Sequence, residues 1–287
     1  MNPAAPDRYG VVGNPVAHSK SPLIHALFAE QTHERLTYER VLAPLSGFRE
    51  TVAAFMAQGG KGLNVTLPFK LEAHALATQT TERARVAGAV NTLRFDAGVI
   101  LGDNTDGAGL MADLERLGHL HGFAMQDARV LLLGAGGAAR GVLGPLLDSA
   151  PTLVAIANRD QAKARALAHV YLGPASKLRA LGLDDLEDER FDVILNATSA
   201  GHQGATLGLP GALVKAASLV YDLAYGEGPA ESSTPFLRAA RAQGATLTSD
   251  GLGMLVEQAA LSFFLWRGIL PQSQPVLLEL RKALSPS

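Results

Sequence analysis

A lysine stands where the sequence places the start of a helix, in the stretch Asn64-Val65-Thr66-Leu67-Pro68-Phe69-Lys70. Alternating apolar and polar residues predict a strand over 62–66, and Pro68 with helical spacing over 69–79 puts Lys70 in a first helical turn. The exposed N–H groups of a helix start carry partial positive charge, which disfavours a cation and eases the release of its proton. Lys70 is therefore a candidate for proton transfer, and the alternative for a single lysine is a solvated surface residue.

An aspartate that could work with this lysine lies in Asp103-Asn104-Thr105-Asp106-Gly107. A hairpin is predicted just before it, from strands over 89–93 and 99–101. Asp106 on its own could be only the N-cap of the helix that follows. Beside Lys70 it would orient the amine and form a coupled pair that can pass a proton. Asn91, in the first of these strands, is either a buried amide that satisfies backbone groups or a member of the same site.

Two serines, Ser19 and Ser21, precede a predicted helix that runs to about residue 32. Pro22 suits the first helical position and Ser21 the N-cap, so capping alone could account for Ser21. Two hydroxyls in an extended segment that leads into a helix can also hold one anionic group, because a helix start favours a carboxylate. The pair is therefore a candidate carboxylate site.

From about residue 129 the pattern changes to alternating strands and helices, which predicts a parallel sheet. The apolar run 129–133 is followed by Gly134-Ala135-Gly136-Gly137-Ala138-Ala139, a helix to about 147 and a strand over 153–157. Glycines at this position let the backbone approach a pyrophosphate at the helix start, and a structural glycine turn is the alternative. The next strand ends in Asn158-Arg159, which favours the 2′-phosphate of NADP, whereas Asp160 favours the free ribose of NAD.

The remaining elements bring polar residues to the carboxyl ends of strands, where an open α/β sheet binds ligands. Thr198 lies in the segment 196–201 after a predicted strand, and Tyr221 ends the next strand. Gly251 opens an apolar helix that carries the polar residue Gln258. The other predicted elements are strands over 9–13, 36–43, 191–195, 219–221 and 245–247 and helices over 47–58 and 274–284.

The composition is that of a globular protein that binds a small molecule. The 287 residues are enough for two domains, with 47% hydrophobic and 18% charged residues and a net charge of −2. This charge offers no basic surface for nucleic acid or a membrane. Cysteine is absent, which excludes disulfides and thiolate metal sites, and the eight histidines form no metal-binding pattern. No signal peptide or membrane span is predicted, so the expected location is cytoplasmic.

Together these motifs resemble the shikimate dehydrogenases, the NADP-dependent enzymes of the shikimate pathway and aromatic amino-acid biosynthesis. The resemblance extends from Tyr9 to the last helix and rests on separated motifs: Gly13-Asn14-Pro15-Val16-Ala17-His18-Ser19-Lys20-Ser21-Pro22, the stretch 64–70, Gly88-Ala89-Val90-Asn91-Thr92, the stretch 103–107, the turn 134–140 and Asp250-Gly251-Leu252-Gly253-Met254. It implies two α/β domains with a cleft between them. The N-terminal substrate-binding domain, with a mostly parallel sheet, would comprise residues 1–106 plus 250–287, and a Rossmann-type NADP-binding domain residues 107–249.

The resemblance also implies roles for the matching residues. Lys70 and Asp106 would form the catalytic pair, and Ser19 and Ser21 would hold the carboxylate of shikimate. The residues that would place the ring and its hydroxyls are Asn64, Thr66, Asn91, Tyr221 and Gln258. The residues that would bind the dinucleotide are Gly134, Ala135, Gly136, Gly137, Ala138, Asn158, Arg159, Lys163, Thr198 and Gly251. Family members commonly have Thr and Arg where this chain has Asp160 and Lys163, which predicts a weaker NADP clamp.

The function implied by the resemblance is reversible NADPH-dependent reduction of 3-dehydroshikimate to shikimate, without a metal, by a monomer or homodimer. Two alternatives remain. A quinate/shikimate dehydrogenase that uses NAD is supported by Asp160 alone. A non-catalytic NADP-binding sensor would be expected to lose Lys70 or Asp106, and both are present.

Overall fold

The computed structural model describes residues 5–171, 177–198 and 207–284. Contacts between Cα atoms divide the chain into unit 1, Met1–Gly109 with Val256–Val276, and unit 2, Leu110–Leu255 with Leu277–Ser287. Residues 199–201, the end of the predicted motif 196–201, lie outside the described residues. In the described part of the chain, no helix has the length and apolar character needed to cross a membrane.

The described residues form twelve strands and eleven α-helices. The strands are β1 (Asp7–Gly13), β2 (Leu36–Leu42), β3 (Gly60–Val65), β4 (Gln79–Thr80), β5 (Thr92–Asp96), β6 (Val99–Asp103), β7 (Arg129–Leu133), β8 (Leu153–Ala157), β9 (Leu178–Leu181), β10 (Val193–Asn196), β11 (Leu219–Asp222) and β12 (Thr248–Asp250). The helices are α1 (Ser21–Thr32), α2 (Phe48–Ala57), α3 (Lys70–Leu76), α4 (Glu82–Ala87), α5 (Asp106–His121), α6 (Gly137–Asp148), α7 (Gln161–His169), α8 (Gly211–Ala216), α9 (Pro235–Ala242), α10 (Leu252–Arg267) and α11 (Ser273–Leu284).

Unit 1 is built on a six-stranded sheet of order β2-β1-β3-β5-β6-β4. β1 pairs in parallel with β2 and β3, and β4 with β6, whereas β5 runs antiparallel to β3 and β6. The predicted hairpin of β5 and β6 turns at Ala97 and Gly98, which both have positive φ, the backbone twist that a tight hairpin needs. Apolar side chains such as Val12, Phe48 and Phe69 form the core beneath this sheet.

Unit 2 carries a parallel six-stranded sheet of order β12-β11-β10-β7-β8-β9. In β7, Val130 and Leu132 face one apolar core and Leu131 and Leu133 face another, so the strand is buried on both sides as its apolar sequence predicts. The strand order reverses between β7 and β10, which is the arrangement of a doubly wound dinucleotide-binding sheet. Ligands of such sheets bind at the carboxyl ends of the strands beside this reversal.

Most predicted elements are present, and the strands predicted over 129–133 and 153–157 have these bounds in the structure. The strand predicted over 245–247 instead lies at Thr248–Asp250, where it pairs with β11. The helix predicted to reach residue 79 ends at Leu76, because the following residues pair with β6 as the short strand β4.

The strand predicted over 89–93 begins only at Thr92. Asn91 precedes it, and its side-chain oxygen accepts from the N–H of Thr105, which lies in the loop after β6. The Asn91 backbone still bonds to both flanking strands, because its N–H donates to the Asp103 carbonyl oxygen at 3.0 Å and its own carbonyl oxygen accepts from the Val65 N–H at 2.7 Å. Asn91 therefore lies just before β5, with its backbone bonded to β3 and β6 and its side chain bonded to the loop after β6.

Candidate active site

The two candidate proton-transfer residues both belong to unit 1 and meet at the starts of two helices. Lys70 is the first residue of α3, and Asp106 is the first residue of α5. The Lys70 Nζ lies 2.5 Å from Asp106 Oδ2, and the two side chains are 14% and 6% exposed. The Asn104 side chain accepts from the Asp106 N–H, and Asp106 is itself the first helical residue, so its side chain does not serve as the N-cap. The Asp106 carboxylate is left to hold the lysine.

Asn91 holds the other oxygen of Asp106. Its Nδ2 lies 2.9 Å from Asp106 Oδ1, 2.8 Å from Thr105 Oγ1 and 3.1 Å from Gln258 Oε1. Its Oδ1 accepts from the Thr105 N–H and from the Thr92 hydroxyl, each at 2.9 Å. Asn91 therefore does both things considered from the sequence: it satisfies a backbone group and it contacts the candidate site. Because both oxygens of Asp106 are held, the orientation of the carboxylate is set by the fold.

Asn64, in β3, has its amide committed to neighbours within unit 1. The Tyr38 hydroxyl donates to Asn64 Oδ1 at 2.7 Å. The Asn64 Nδ2 lies 2.9 Å from Ser262 Oγ and 3.1 Å from Thr92 Oγ1. Tyr38 and Ser262 were not singled out from the sequence. Ser262 lies four residues after Gln258 in the apolar helix α10, and this spacing on one helix face was a signal that could have found it.

Ser19 and Ser21 lie against each other, with 3.2 Å between their hydroxyl oxygens. The Ser21 N–H lies 3.3 Å from Ser19 Oγ. Ser21 is the first residue of α1 and the N-cap is Lys20, so the alternative in which Ser21 caps the helix is wrong. Arg40 donates from Nε and Nη2 to the carbonyl oxygen of Ser19, at 3.0 and 2.7 Å. The serine pair is therefore fixed through its backbone while its hydroxyls remain at the helix start.

Thr66 follows β3 and is half-buried. Its N–H donates to the carbonyl oxygen of Val12 at 2.9 Å. Its methyl group occupies the space that a Cβ at Gly13 would need, so only glycine fits at that position. The close approach joins the segment that leads to the serine pair with the segment that leads to Lys70.

The glycine-rich turn of unit 2 has the form of an anion cradle. Gly134 has a φ of +107°, and a Cβ there would lie 3.1 Å from Ala197 and 3.2 Å from the Thr198 methyl group. Gly136 has nothing within 4 Å of a Cβ, so the turn is open on that side. Gly136 is also the N-cap of α6 and provides no side-chain cap, which leaves the first helical N–H groups to an outside acceptor. These features fit the diphosphate of a dinucleotide.

The segment after β8 carries an exposed cation. Arg159 is exposed, and within the described residues it has no ion pair or side-chain hydrogen bond. Asp160 is the N-cap of α7, and its Oδ1 accepts from the Ala162 N–H at 3.1 Å. Lys163 lies 3.8 Å from the Asp160 carboxylate, and the Asn158 side chain donates to the Asp160 carbonyl oxygen at 3.0 Å. Helix capping accounts for Asp160, so this residue is no longer an argument for NAD.

Tyr221 contradicts its expected role. It lies in β11 with no exposed surface, and its hydroxyl donates to Asp113 Oδ2 at 2.8 Å. Burial raises the pKa of Tyr221 well above its ordinary value, and the charge of Asp113 adds to the effect. Asp113 also accepts from Arg116 and occupies the space of a Cβ at Gly253. The Tyr221 hydroxyl is therefore used to hold a buried carboxylate inside unit 2, and it offers no group to a substrate ring.

Thr198 and Gly251 lie just beyond the carboxyl ends of β10 and β12. The Thr198 N–H and hydroxyl lie 3.1 and 2.7 Å from Asn196 Oδ1. A Cβ at Gly251 would overlap the carbonyl oxygen of Leu223, so the backbone approach there requires glycine. Asp222, at the end of β11, accepts from Asn196 Nδ2 at 3.0 Å, and burial raises its pKa to about 6. These bonds hold the strand ends of unit 2 in one arrangement.

Within the described residues, no group of three or more His, Cys, Asp or Glu side chains could hold a metal ion. His119 and His121 lie in the last turn of α5 and are exposed, as expected for solvated residues.

A glycine-rich turn in a doubly wound parallel sheet, together with a lysine–aspartate pair in another α/β unit, defines a two-domain dinucleotide-dependent oxidoreductase. Three family descriptions match the chain in order. They are the shikimate dehydrogenase substrate binding domain at residues 11–93, shikimate/quinate 5-dehydrogenase at residues 117–222, and the shikimate 5′-dehydrogenase C-terminal domain at residues 251–277. The chain belongs to the shikimate dehydrogenase family.

Relatives are similar over almost their whole length. The shikimate dehydrogenase (NADP(+)) of Nitrosospira multiformis is 56% identical over 279 residues, which are 97% of this chain and 98% of the relative. The shikimate dehydrogenase (NADP(+)) of Methylobacillus flagellatus is 53% identical, and the match covers 96% of this chain and 100% of the relative. Among solved structures, an Ael1 enzyme from Pseudomonas putida is 46% identical with a TM-score of 0.85. The match covers 98% of this chain and 99% of that enzyme. A shikimate 5-dehydrogenase from Thermus thermophilus, in complex with NADP(H) and shikimate, is 32% identical with a TM-score of 0.80. The match covers 97% of this chain and 100% of that enzyme.

Proposed function

We propose that this chain catalyses the reversible, NADPH-dependent reduction of the 3-keto group of 3-dehydroshikimate to shikimate, a step of aromatic amino-acid biosynthesis. The observation that carries the proposal is the ion pair of Lys70 and Asp106, whose charged atoms lie 2.5 Å apart and whose side chains are nearly buried. The names of the relatives at 56% and 53% identity support both the substrate and the cofactor.

Lys70 is the proton donor in this proposal. Its Nζ donates to the carbonyl oxygen of the substrate as that oxygen becomes a hydroxyl, and it removes the hydroxyl proton in the reverse direction. Asp106 Oδ2 keeps the amine in place, and Asn91 keeps Asp106 in place through Oδ1. Because these contacts are made by the protein's own side chains, the fold sets the position of the amine.

The carboxylate of the substrate would be held by the hydroxyls of Ser19 and Ser21, which lie together at the start of α1. The ring hydroxyls would be placed by Asn64, Thr66, Asn91 and Gln258. Hydrogen bonds within unit 1 already fix the orientation of the amides in this set. Tyr221 has no part in the proposal, because its hydroxyl is buried.

The dinucleotide would be held by unit 2. Its diphosphate would lie on the open side of Gly136 and at the start of α6, in the turn formed by Gly134, Ala135, Gly136, Gly137 and Ala138. Arg159 would pair with the 2′-phosphate of NADP, with Asn158 and Lys163 beside it and with Thr198 and Gly251 at the strand ends. The chemistry that NADPH supplies when bound is hydride transfer.

The proposal assigns residues 1–106 plus 250–287 to the substrate and residues 107–249 to NADP. It also includes a cytoplasmic location, because NADPH is regenerated inside cells, and a monomer or homodimer in solution. Light scattering coupled to size-exclusion chromatography distinguishes the monomer from the dimer.

The test is absorbance-monitored reduction of NADP⁺ by shikimate with the purified protein, run beside NAD⁺ and beside quinate. Fast reduction of NADP⁺ by shikimate alone is the expected result. Comparable rates with NAD⁺ or quinate would instead favour a quinate/shikimate dehydrogenase. No reduction with any pair would contradict the proposal and favour a non-catalytic NADP-binding sensor.

A further inference from the structure

Strand β2 places two polar side chains against groups of the proposed substrate site. Tyr38 and Arg40 are two residues apart in this strand and therefore lie on the same face. Helix α1, which begins at Ser21, packs on β2. Neither Tyr38 nor Arg40 belongs to any motif that the sequence pattern singled out.

Tyr38 joins the proposed carboxylate end of the site to the proposed ring end. Its hydroxyl donates to Asn64 Oδ1 at 2.7 Å and is hydrogen-bonded to the side chain of Ser21. The Tyr38 ring stacks on the fully buried His25, with 4.2 Å between ring centroids and 7° between planes. The phenol is thus held in one position, and it fixes how far Ser21 lies from Asn64.

Arg40 acts on the other serine. Its two donors converge on the carbonyl oxygen of Ser19, and Ser19 Oγ in turn lies 3.2 Å from Ser21 Oγ. Among the described residues no carboxylate pairs with Arg40, whereas the neighbouring Glu39 pairs with Arg8. The positive charge of Arg40 therefore stands beside two hydroxyls that are proposed to bind an anion, and it favours that anion through space.

We propose that the face of β2 formed by Tyr38 and Arg40 is the supporting layer of the substrate site. Tyr38 sets the spacing between the serine pair and Asn64, and Arg40 fixes Ser19 and attracts the anionic substrate. Both are positioning residues that act on shikimate binding and not on proton transfer. This inference rests on the proposed function, since it takes Ser19, Ser21 and Asn64 as substrate contacts.

The first variant is Tyr38→Phe, which removes one oxygen and keeps the ring on His25. We expect the KM for shikimate, and its dissociation constant by calorimetry without cofactor, to rise about three- to tenfold, the scale of one lost hydrogen bond. The kcat and the KM for NADP⁺ should stay within about twofold, because Tyr38 does not contact Lys70 or Asp106. Thr37→Val, on the opposite and exposed face of β2, is the matched control and should change none of these quantities.

A double variant tests the link to the serine pair. If Tyr38 and Ser21 act as one unit, Tyr38→Phe combined with Ser21→Ala should raise the KM for shikimate by less than the product of the two single effects. Independent effects would multiply, and that result would overturn the role of Tyr38 as a connector.

Two variants of Arg40 distinguish the effect of its charge from the effect of its two hydrogen bonds to Ser19. Arg40→Lys keeps the charge and loses the two-pronged contact on Ser19, whereas Arg40→Met loses both. We expect the KM for shikimate to rise in the order wild type, Arg40→Lys, Arg40→Met, by up to about tenfold. The dependence of kcat/KM for shikimate on ionic strength should be flatter in Arg40→Met than in the other two proteins, because salt has less attraction to screen.

An unchanged KM for shikimate in Tyr38→Phe and Arg40→Met, or a loss confined to kcat, would overturn the inference. The same would follow from an equal change in Thr37→Val, which would assign the effect to the strand in general. In these cases the proposed function still stands as long as the wild-type protein oxidises shikimate with NADP⁺. A wild-type protein that neither binds nor oxidises shikimate would overturn the proposed function and this inference with it.

Discussion

At the scale of single residues, replacing Lys70 should reduce the rate of proton transfer without weakening the binding of NADPH. General acid–base catalysis contributes roughly 10²–10⁴-fold, so Lys70→Ala should lower kcat for 3-dehydroshikimate reduction on that scale. Binding of NADPH, measured by fluorescence titration, should be nearly intact, because Lys70 lies in unit 1 and the proposed dinucleotide residues lie in unit 2. A Lys70→Ala protein with near-normal turnover would remove Lys70 from the mechanism.

His25 predicts how the stability of unit 1 depends on pH. It is fully buried, and burial lowers its pKa to about 3. The imidazole of an unfolded chain titrates near about 6.5, so between these values the unfolded state binds a proton that the folded state does not. The free energy of unfolding should therefore fall as the pH drops below about 6.5, by up to about 1.4 kcal/mol per pH unit.

The measurement is urea unfolding at several pH values from 7 down to 5, followed by the fluorescence of Trp266. This is the single tryptophan of the chain, and its ring centroid lies 5.3 Å from that of His25. His25→Phe keeps an aromatic ring at the site and should remove this part of the pH dependence. Equal slopes in the two proteins would contradict the assignment to His25.

At the scale of elements, Asp160 caps helix α7, and its charge next to Arg159 should affect the binding of NADP⁺. Asp160→Asn keeps an N-cap and removes a negative charge next to Arg159. The KM for NADP⁺ should fall about two- to fourfold, the scale of an exposed charge interaction, while the KM for NAD⁺ changes less. Asp160→Ala also removes the charge but should cost about 1 kcal/mol of stability, because the cap is lost. Steady-state kinetics and thermal unfolding of both variants check this, and a rise in the KM for NADP⁺ with Asp160→Asn would refute it.

At the scale of the whole molecule, each unit has its own apolar core, and the proposal gives each unit its own ligand. Shikimate alone should slow amide hydrogen exchange around Lys70 and the start of α5, and NADP⁺ alone should slow it in the turn 134–138. A ligand at 100 times its dissociation constant adds about 2.7 kcal/mol to the free energy of opening where it binds. Peptide-resolved exchange measures this, and NADP⁺ protection confined to unit 1 would contradict the division.

The local features of this protein could be predicted from its sequence. An apolar run followed by glycines and a helix predicts a buried strand and an anion-binding turn, because strand burial, the backbone freedom of glycine and helix starts each depend on a few adjacent residues. The same holds for Lys70 at the start of α3 and for the hairpin before Asp106.

The partners of these residues were decided by the tertiary structure. Asn91 bonds to Gln258 across 167 positions of sequence. Tyr38 in β2 bonds to Asn64 in β3, although β1 lies between these two strands in the sheet. Tyr221 lies in a strand as predicted, although the strand continues to Asp222, and its hydroxyl donates to Asp113, which a pattern along one strand cannot reveal. Sequence periodicity reports which face of an element is buried, whereas a hydrogen bond between distant segments depends on how the elements pack, and only the folded chain brings those atoms within bonding distance.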